Sequence, residues 1–444
     1  MPAWETFFRE TRPLAKLALP VSVSYLASMA MNIVDTIFVG RLGPTELGGV
    51  SLGNAVFSVF MVFGIGVLSG LDFFISRDFG ARRFGETKRW FVNGLAVAAG
   101  FALPCVALMW KADLLFAAFG IEAAVTEQAM QYLRTLSVSL LPFLLFMVLR
   151  QYLQAFGVAS PVMLVLIAAN VLNAVANWVL IYGKFGFPAM GVRGSATATI
   201  VARAFILVVL FAYLAGWSRR SGYGGLFSGV KLARAPIRQI LALGAPAGFQ
   251  MLLEVGVFAT ATFLAGKLGA VPLAAHQIVL QIASLTFMIP LGISTAASVL
   301  VGRAIGAGDH RLAARRGWNA FAVGVALMGC VGLLLFSIAG PAVRVFTDQA
   351  PVLAAGAALM PIVAFFQVFD ATQVIGAGAL RGAGSTKASM LANLFGHWFV
   401  GLPLGAAICF GFGWGLRGIW IGLSLGLIVV ALVLVAVWRR KNDF

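Results

Sequence analysis

Twelve long apolar stretches divide the chain, and each is long enough to form a helix that crosses a membrane. Of the 444 residues, 61% are hydrophobic and only 11% are charged, whereas charged residues make up about a quarter of a soluble globular protein. A hydrocarbon core of about 30 Å requires roughly 20 apolar residues in a helix. The fold class predicted is therefore an all-α integral membrane protein with twelve transmembrane helices. The predicted spans are 16–38, 51–75, 90–112, 131–153, 160–183, 191–216, 239–265, 278–301, 317–341, 354–378, 386–412 and 416–438.

The same residue pattern occurs twice in the chain. Residues 20–81 align without a gap with residues 246–307, which lie 226 positions later. A duplicated set of membrane helices is typical of secondary transporters. The two copies differ at their acids, because Asp35 aligns with Ala261 and Glu254 aligns with Ser28. Identical positions include Pro20 and Pro246, Leu26 and Leu252, Thr36 and Thr262, Gly40 and Gly266, Gly66 and Gly292, and Arg77 and Arg303.

A polar segment separates the two copies. Residues 218–237 interrupt the apolar pattern with Gly, Ser and several basic residues. They predict an N-terminal six-helix bundle over 1–217, a cytoplasmic linker over 218–237 and a C-terminal six-helix bundle over 238–444. Because each half has an even number of spans, both copies have the same orientation in the membrane. We therefore expect two pseudo-symmetric bundles around a central cleft.

The excess of basic residues is explained by the membrane rather than by nucleic acid. The formal net charge is +17 at pH 7, but the basic residues are scattered between apolar runs and form no stripe or aromatic-interleaved patch. They concentrate in alternate loops and span ends, with Arg82, Arg83, Lys88 and Arg150 on the more basic side. The positive-inside rule then places both termini in the cytoplasm. No nucleic acid is expected as a partner.

In the N-terminal half, one acid and a stripe of amides stand inside apolar spans. Asp35 follows Asn32 by three residues, so the two share a helix face. Asn170, Asn173 and Asn177 recur at spacings of three and four in the fifth span and also share a face. A carboxylate lined by amide oxygens suits a proton or a sodium ion, because hard cations take oxygen ligands. The alternative is a buried polar network that only fixes helix packing.

The C-terminal half carries two intramembrane acids. Glu254 lies in the seventh span one turn after Gln250, and Asp370 lies in the tenth span three residues before Gln373. A charged side chain at the bilayer centre costs about 2.5–3.5 kcal/mol on insertion scales, so such a position indicates function. If these spans face each other, Glu254 and Asp370 bracket one cavity and are candidate ligands for Na⁺. The alternative is a satisfied pair that binds no ligand.

No pattern in the chain is typical of an enzyme. There is no glycine-rich phosphate loop of the Walker type, so direct nucleotide hydrolysis is not supported. An integral membrane enzyme would also need clustered His or Cys ligands, or a nucleophile with its base. The sequence therefore predicts neither enzymatic activity nor a cofactor, and two bundles with distinct carboxylates suit coupled exchange better than a passive channel. The histidines and cysteines lie in separate segments, at His276, His310, His397, Cys105, Cys330 and Cys409.

Taken together, these residues resemble the multidrug and toxic compound extrusion (MATE) family, particularly its NorM-like bacterial branch. The resemblance spans nearly the whole chain and rests on the segments 32–40, 173–186, 274–278 and 373–382. It implies two six-helix bundles that form a V-shaped cleft, and cation-coupled export of drugs across the bacterial cytoplasmic (inner) membrane. In that family, the position of Asp35 is a coupling position, and those of Glu254 and Asp370 form a cation site. Gln277 lies in one of the shared segments and joins the candidate binding residues.

Two departures from the family pattern affect the expected mechanism. Some members carry an acid where this chain has Asn177, which weakens a proton-only mechanism based on an acid pair in the N-terminal half. Members that use a further glutamate in the last helices have no counterpart here, because residues 416–438 contain no Asp or Glu. The C-terminal cation site is then either incomplete or built from Glu254, Asp370 and neutral oxygens.

The function predicted is secondary active efflux of cationic or amphiphilic compounds by Na⁺- or H⁺-coupled antiport with alternating access, without ATP. The expected partners are small-molecule drugs and membrane lipids, and the protein is expected to function as a monomer. The alternative is a lipid-linked oligosaccharide flippase of the same broader superfamily. A long basic groove would favour that alternative, because its substrates carry pyrophosphate.

Overall fold

The computed structural model describes residues 3–223, 225–227 and 229–441, with side chains from residue 10 onward. The predicted bundles and linker also include residues 1–2, 224, 228 and 442–444, which lie outside the described residues. The described helices are α1 Ala3–Gly40, α2 Pro44–Gly80, α3 Phe84–Met109, α4 Ala112–Ala118, α5 Ala123–Ser137, α6 Leu140–Ala155, α7 Ser160–Tyr182, α8 Val192–Arg220, α9 Arg234–Gly266, α10 Ala270–Gly306, α11 His310–Ser337, α12 Ala339–Arg344, α13 Ala350–Ala357, α14 Met360–Gly382, α15 Lys387–Asn393, α16 Leu402–Ala406 and α17 Leu416–Lys441. Two π-helical segments, Leu394–Gly401 and Ala407–Gly411, flank α16.

The membrane-spanning helices agree with the predicted fold class. Within the described residues, eleven helices are long and apolar enough to cross a membrane, and up to twelve spans result if the bent pair α5 and α6 is one span. That pair is bent by 43° and corresponds to the predicted span 131–153. The all-α transmembrane architecture is therefore confirmed.

The chain divides into two compact units. One unit contains residues 23–248, and the other contains residues 1–22 together with 249–444. Both boundaries fall inside a helix, α1 in one case and α9 in the other. The boundaries follow Ser22 and Gly248, and the duplicated residues Pro20 and Pro246 come shortly before them inside the same helices. A proline inside a helix removes one backbone hydrogen bond.

In the unit 23–248, α2 packs against α3, α5 and α6, and α7 packs against α8. Phe57, Phe91 and Tyr152 are among the largest side chains with almost no exposed surface. Gly66 of α2 lies directly against Gly248 of α9, where a methyl group would overlap the backbone. This glycine therefore allows two helices to approach closely.

In the other unit, α14 packs against α10, α11 and α17. Gly292 of α10 lies against Ser22 of α1, and the Ser22 hydroxyl donates to the carbonyl oxygen of Ile289 at 3.2 Å. Gly292 and Ser22 are the repeat counterparts of Gly66 and Gly248. The same helix contact thus occurs once in each unit.

Candidate ion-coupling and substrate-binding sites

Asp35 of α1 is held by two side chains from other helices of the unit 23–248. Its Oδ1 accepts a hydrogen bond from Asn177 Nδ2 of α7 at 2.6 Å, and its Oδ2 accepts one from Thr199 Oγ1 of α8 at 3.0 Å. The residue is only 7% exposed. Hydrogen bonds to a carboxylate are stronger than those between neutral groups, and more so away from water. This carboxylate is therefore a fixed polar centre among three helices.

The amides predicted beside Asp35 have different partners in the structure. Asn177 also donates to Asn173 Oδ1 at 3.2 Å, so these two amides and Asp35 form one chain of contacts. Asn170 instead donates to the carbonyl oxygen of Ala27 at 3.0 Å. Asn32 is exposed, and its carbonyl oxygen accepts a hydrogen bond from Thr36 at 2.9 Å. The stripe therefore connects to Asp35 through the hydrogen bond from Asn177.

A cavity of about 240 Å³ lies in the same unit and is lined by two arginines. The Arg203 guanidinium lies 4.9 Å from the ring centroids of both Phe57 and Phe143, and it donates to Ser139 Oγ at 2.7 Å. Arg150 lies 5.0 Å from the Tyr25 ring centroid and is 6% exposed. The full lining is Tyr25, Ser28, Met31, Asn32, Asn54, Ser58, Met61, Ile65, Phe143, Phe146, Met147, Arg150, Leu166, Arg203 and Ile206.

Glu254 of α9 is connected to two further helical segments of its own unit. Gln373 Nε2 of α14 donates to Glu254 Oε2 at 3.3 Å and also to Asn393 Oδ1 at 3.3 Å. Asn393, at the end of α15, in turn donates to the carbonyl oxygen of Ser389 at 3.0 Å. Gln373 and Asn393 have no exposed surface. Gln373 is therefore the link between the acid and the amide of α15.

Asp370 lies close enough to Glu254 for the two acids to interact electrostatically. It is 6% exposed, and Gln367, one turn earlier on α14, donates to Thr286 Oγ1 at 2.7 Å. Two carboxylates near each other in a low-dielectric region favour a bound cation or proton, because like charges repel strongly there. The acids predicted to bracket a cavity thus belong to one electrostatic cluster.

The two remaining candidate residues, Gln250 and Gln277, differ in their exposure. Gln250 of α9 is buried, four residues before Glu254. Gln277 of α10 is exposed, next to the buried His276. The His276 Nε2 atom lies 3.0 Å from Thr262 Oγ1, and its ring packs 5.6 Å from that of Trp420. His276 is therefore part of the helix packing.

The structure places four residues at these sites that the sequence analysis did not name as candidates. Thr199 and Asn393 are neutral residues in apolar helices, and nothing in their spacing marks them. Arg203 did carry a signal, because it is a charged residue in the middle of the apolar span that became α8. Arg150 was grouped with the cytoplasmic basic residues, whereas the structure buries it at the cavity wall.

The side chains around Glu254 and Asp370 contain oxygen atoms of the kind that bind a hard cation. No group of three or more His, Cys, Asp or Glu side chains that could hold a metal ion occurs within the described residues. Sodium, however, also takes neutral amide oxygens, as hard cations generally do. The Oε1 atoms of Gln367 and Gln373 are buried and have no hydrogen-bond partner among the described residues. Gln373, which contacts Glu254, therefore adds a neutral oxygen to the two acids, whereas the Gln367 amide contacts Thr286.

Comparison with known protein sequences relates this chain to one family. A family model described as MatE matches residues 20–179 and 246–407, so its two segments begin at the duplicated prolines. The chain is 36% identical to the "Probable multidrug resistance protein NorM" of Mesorhizobium japonicum, over 98% of this chain and 94% of that protein. It is 33% identical to the "Multidrug resistance protein NorM" of Burkholderia vietnamiensis, over 96% and 92% of the two chains.

Solved structures show the same fold. The outward-facing structure of a multidrug resistance MATE family transporter of the MOP superfamily superimposes with a TM-score of 0.90 at 22% identity, over 98% of this chain and 96% of that chain. The crystal structure of the eukaryotic MATE transporter AtDTX14 gives a TM-score of 0.87 at 22% identity, over 98% of both chains. The chain therefore belongs to the MatE family of multidrug efflux transporters, in its NorM-like branch.

Proposed function

We propose that the protein is a secondary active antiporter that exports cationic or amphiphilic compounds in exchange for Na⁺ or H⁺. The observation that carries this proposal is a buried acid network in each unit, Asp35 in one and Glu254 with Asp370 in the other. Charged side chains inside membrane spans are costly and usually mark ion or substrate pathways. No sequence motif for nucleotide hydrolysis is present, so the energy would come from an ion gradient.

The coupling would operate through competition for the acids. In the cytoplasm-facing state a substrate binds while the acids release their ion; in the outward-facing state the ion binds and the substrate leaves. Such exchange requires only that each ligand bind the two states with different affinity. In this proposal Gln373 and Gln250 support Glu254, while Asn173 and Asn177 support Asp35, and Asn32 and Gln277 contact substrate.

The coupling ion is either Na⁺ or H⁺ in this proposal. The cluster of Glu254 and Asp370 combines two acids with the unpartnered amide oxygen of Gln373, which suits Na⁺. Asp35 accepts hydrogen bonds from Asn177 and Thr199, and the Asn177 Oδ1 atom has no hydrogen-bond partner among the described residues, so this network suits either ion. The proposal also includes a bacterial inner-membrane location with cytoplasmic termini, the two-bundle division at 218–237 and action as a monomer. The named relatives do not favour the flippase alternative.

The experiment is dye uptake into proteoliposomes. A fluorescent cationic dye is offered under an imposed Na⁺ gradient and, separately, under a proton gradient with the membrane potential clamped. Uptake under one gradient, lost in Glu254→Gln, Asp370→Asn or Asp35→Asn, identifies the ion and the unit that couples it. Glu127→Gln is the matched control, because Glu127 is an exposed acid on α5. Unchanged gradient-driven uptake in all three acid variants would reject the antiport mechanism.

A further inference from the structure

A cavity of about 670 Å³ lies at one end of the spans in the unit formed by residues 1–22 and 249–444. Its wall comes from the end of α10, the beginning of α11, the turn after α14 and the end of α17. We call it the basic cavity, after Arg311, Arg315 and Lys441 in its wall. The volume lies within the roughly 300–1,000 Å³ of sites that hold small molecules. No step of the proposed transport cycle uses this cavity.

The equivalent place in the unit 23–248 is filled by aromatic side chains. Phe79 of α2, Phe84 of α3 and Phe156 after α6 form a cluster with ring centroids 5.8, 4.7 and 6.5 Å apart. The Tyr223 ring lies 4.8 Å from that of Phe84 and 5.0 Å from that of Phe156. Trp217 of α8 adds a fifth ring, 5.5 Å from Tyr223. Stacked and edge-on rings of this kind pack closely and exclude other molecules.

The counterparts of four of these rings line the basic cavity, and three of the four are smaller side chains. Two of the pairs are 226 positions apart, which is the spacing of the duplication, and the other two stand at matching helix ends. The replacement of three phenyl rings by smaller side chains leaves this place open among the described residues. The pairs are Phe79 and Ile305, Phe84 and His310, Phe156 and Ala383, and Trp217 and Trp438.

The basic cavity carries more positive than negative charge. Arg311, Arg315 and Lys441 line it, and Asp309 is the one acid among its described lining residues. The Asp309 carboxylate already accepts a hydrogen bond from the backbone N–H of Leu312 at 2.8 Å, as the N-cap of α11. Three cations and one acid leave an excess of two positive charges. An anion is therefore the ligand that this wall attracts.

Two of the three cations have N–H groups available for such an anion. Arg311 is exposed and forms no salt bridge among the residues that the structure describes. The Lys441 Nζ atom donates to the carbonyl oxygen of Ala383 at 3.0 Å, and an ammonium group has three N–H donors. Arg315 is different, because its guanidinium lies 3.9 Å from the Glu10 carboxylate. Guanidinium and ammonium groups form strong, charge-assisted hydrogen bonds with phosphate oxygens.

The position of the basic cavity favours a lipid over a soluble anion. The helices α10, α11 and α17 are long and apolar enough to span a membrane, and phospholipid headgroups lie where such helices leave the hydrocarbon core. Ile305 and Trp438 form an apolar part of the wall beside the cations, and tryptophan is enriched at the membrane interface. Basic pockets between transmembrane helices are suited to the headgroups of anionic lipids.

We propose that the basic cavity binds the headgroup phosphate of an anionic phospholipid. Arg311 and Lys441 contact the phosphate, while Ile305 and Trp438 contact the glycerol and the first part of the acyl chains. A bound lipid then connects the beginning of α11 with the end of α17, at the place where an aromatic cluster connects the helices of the unit 23–248. This inference concerns lipid binding and goes beyond the proposed antiport.

Binding of two lipids that differ in headgroup charge tests the inference. Tritiated phosphatidylglycerol or phosphatidylcholine with the same acyl chains is titrated onto the delipidated full-length protein in detergent, and scintillation proximity measures the dissociation constant. Both lipids carry a phosphate, but the choline group adds a positive charge that the cations of the cavity repel. We expect phosphatidylglycerol to bind roughly tenfold more tightly. Equal binding of the two lipids would overturn the inference, and this comparison needs no variant.

A pair of double variants separates the cavity from the overall charge of the protein. Arg311→Gln combined with Lys441→Gln should weaken binding of phosphatidylglycerol roughly tenfold. Arg219→Gln combined with Arg220→Gln removes the same two charges from the exposed end of α8 and should bind like the unmodified protein. An equal loss of binding in both double variants would show that the lipid responds to net charge, which would overturn the assignment to the cavity.

Ala383→Phe fills the cavity without changing any charge. It places in the cavity the ring that Phe156 provides in the unit 23–248. We expect this variant to lose binding of phosphatidylglycerol, although Arg311 and Lys441 are intact. Binding that is unchanged both in Ala383→Phe and in the Arg311→Gln and Lys441→Gln double variant would show that the lipid binds elsewhere.

Excess inorganic phosphate distinguishes a lipid site from a site for a soluble anion. We expect phosphatidylglycerol to stay bound, because free phosphate gains no apolar contact with Ile305 or Trp438. Displacement of the lipid by inorganic phosphate would overturn the lipid assignment. All of these measurements are made without an ion gradient, so their outcome does not depend on whether the protein is an antiporter.

Discussion

Gln373 Nε2 lies 3.3 Å from Glu254 Oε2 and joins α14 to α9 at an acid inside a membrane span. The same nitrogen lies 3.3 Å from Asn393 Oδ1, so one amide group orients the acid and is itself oriented by another amide. Its oxygen has no partner among the described residues. Gln373 can therefore donate to Glu254 and still offer an oxygen to a cation.

Replacing Gln373 with alanine should weaken binding of Na⁺ at Glu254 and Asp370, because the ion loses the unpartnered Oε1 atom as a ligand. We expect the half-saturating Na⁺ concentration to rise roughly tenfold, in line with about 1.4 kcal/mol for each factor of ten. The measurement is the dependence of dye uptake on ion concentration in proteoliposomes. Gln349→Ala, at an exposed glutamine in the same unit, should leave the curve unchanged. An unaltered curve for Gln373→Ala would exclude a role for this amide in ion binding.

Thr199→Val should impair transport, and its effect on stability should depend on Asp35. The substitution keeps the shape of the side chain and removes the hydroxyl that donates to Asp35 Oδ2 at 3.0 Å. We expect gradient-driven uptake to fall roughly tenfold, in line with about 1.4 kcal/mol for each factor of ten. In an Asp35→Asn background the same change should shift the apparent melting temperature less than it does in the unmodified protein, since interacting residues give non-additive energies. Additive shifts in melting temperature among the unmodified protein, the two single variants and the double variant would show that Thr199 acts independently of Asp35.

Sequence periodicity was sufficient to predict the membrane-spanning helices. It also predicted several residues that lie near the buried acids, because spacing determines which residues share a face of one helix. It put Asn173 and Asn177 on one stripe of α7. It could not tell which member of that stripe reaches Asp35, because this depends on the rotation of α7 against α1. The structure gives that contact to Asn177 and turns Asn170 to a backbone carbonyl of α1.

The region around Asn393 shows a second reason why the sequence could not predict every contact at the candidate sites. Asn393 ends α15 and is followed by the π-helical segment Leu394–Gly401. A π-helix has a different hydrogen-bond spacing from an α-helix, so a 3.6-residue period no longer predicts which side chains share a face. The duplication matched Gly66 with Gly292, and the structure adds that these glycines make equivalent helix contacts, one within each unit.

Gly66→Ala should destabilise the protein, because its methyl group would overlap the backbone at Gly248. Overpacking of this kind costs about 1–3 kcal/mol. Gly292→Ala should have a similar effect through its overlap with Ser22. Gly100→Ala is the control: it lies within α3 with no atom within 4 Å of the added methyl group, and alanine is the better helix former. Apparent melting temperatures in detergent should fall for the first two variants and stay equal or rise for the third. Equal melting of all three would contradict the close helix approach.

Asp78→Ala should lower the apparent melting temperature more than Glu86→Ala, although both substitutions remove an acid from the same region of the unit 23–248. Asp78 is 2% exposed; its Oδ2 accepts from Trp90 Nε1 at 2.6 Å, and its Oδ1 accepts from Arg77 Nε at 3.1 Å. Removing it leaves the buried indole N–H without its acceptor, which costs about 1–3 kcal/mol. Glu86 pairs with Arg89 at the surface, and exposed pairs contribute about 0–1 kcal/mol. Since both variants lose one negative charge, a difference in melting reports the buried hydrogen bonds rather than net charge; identical melting curves would mean that Trp90 finds another acceptor.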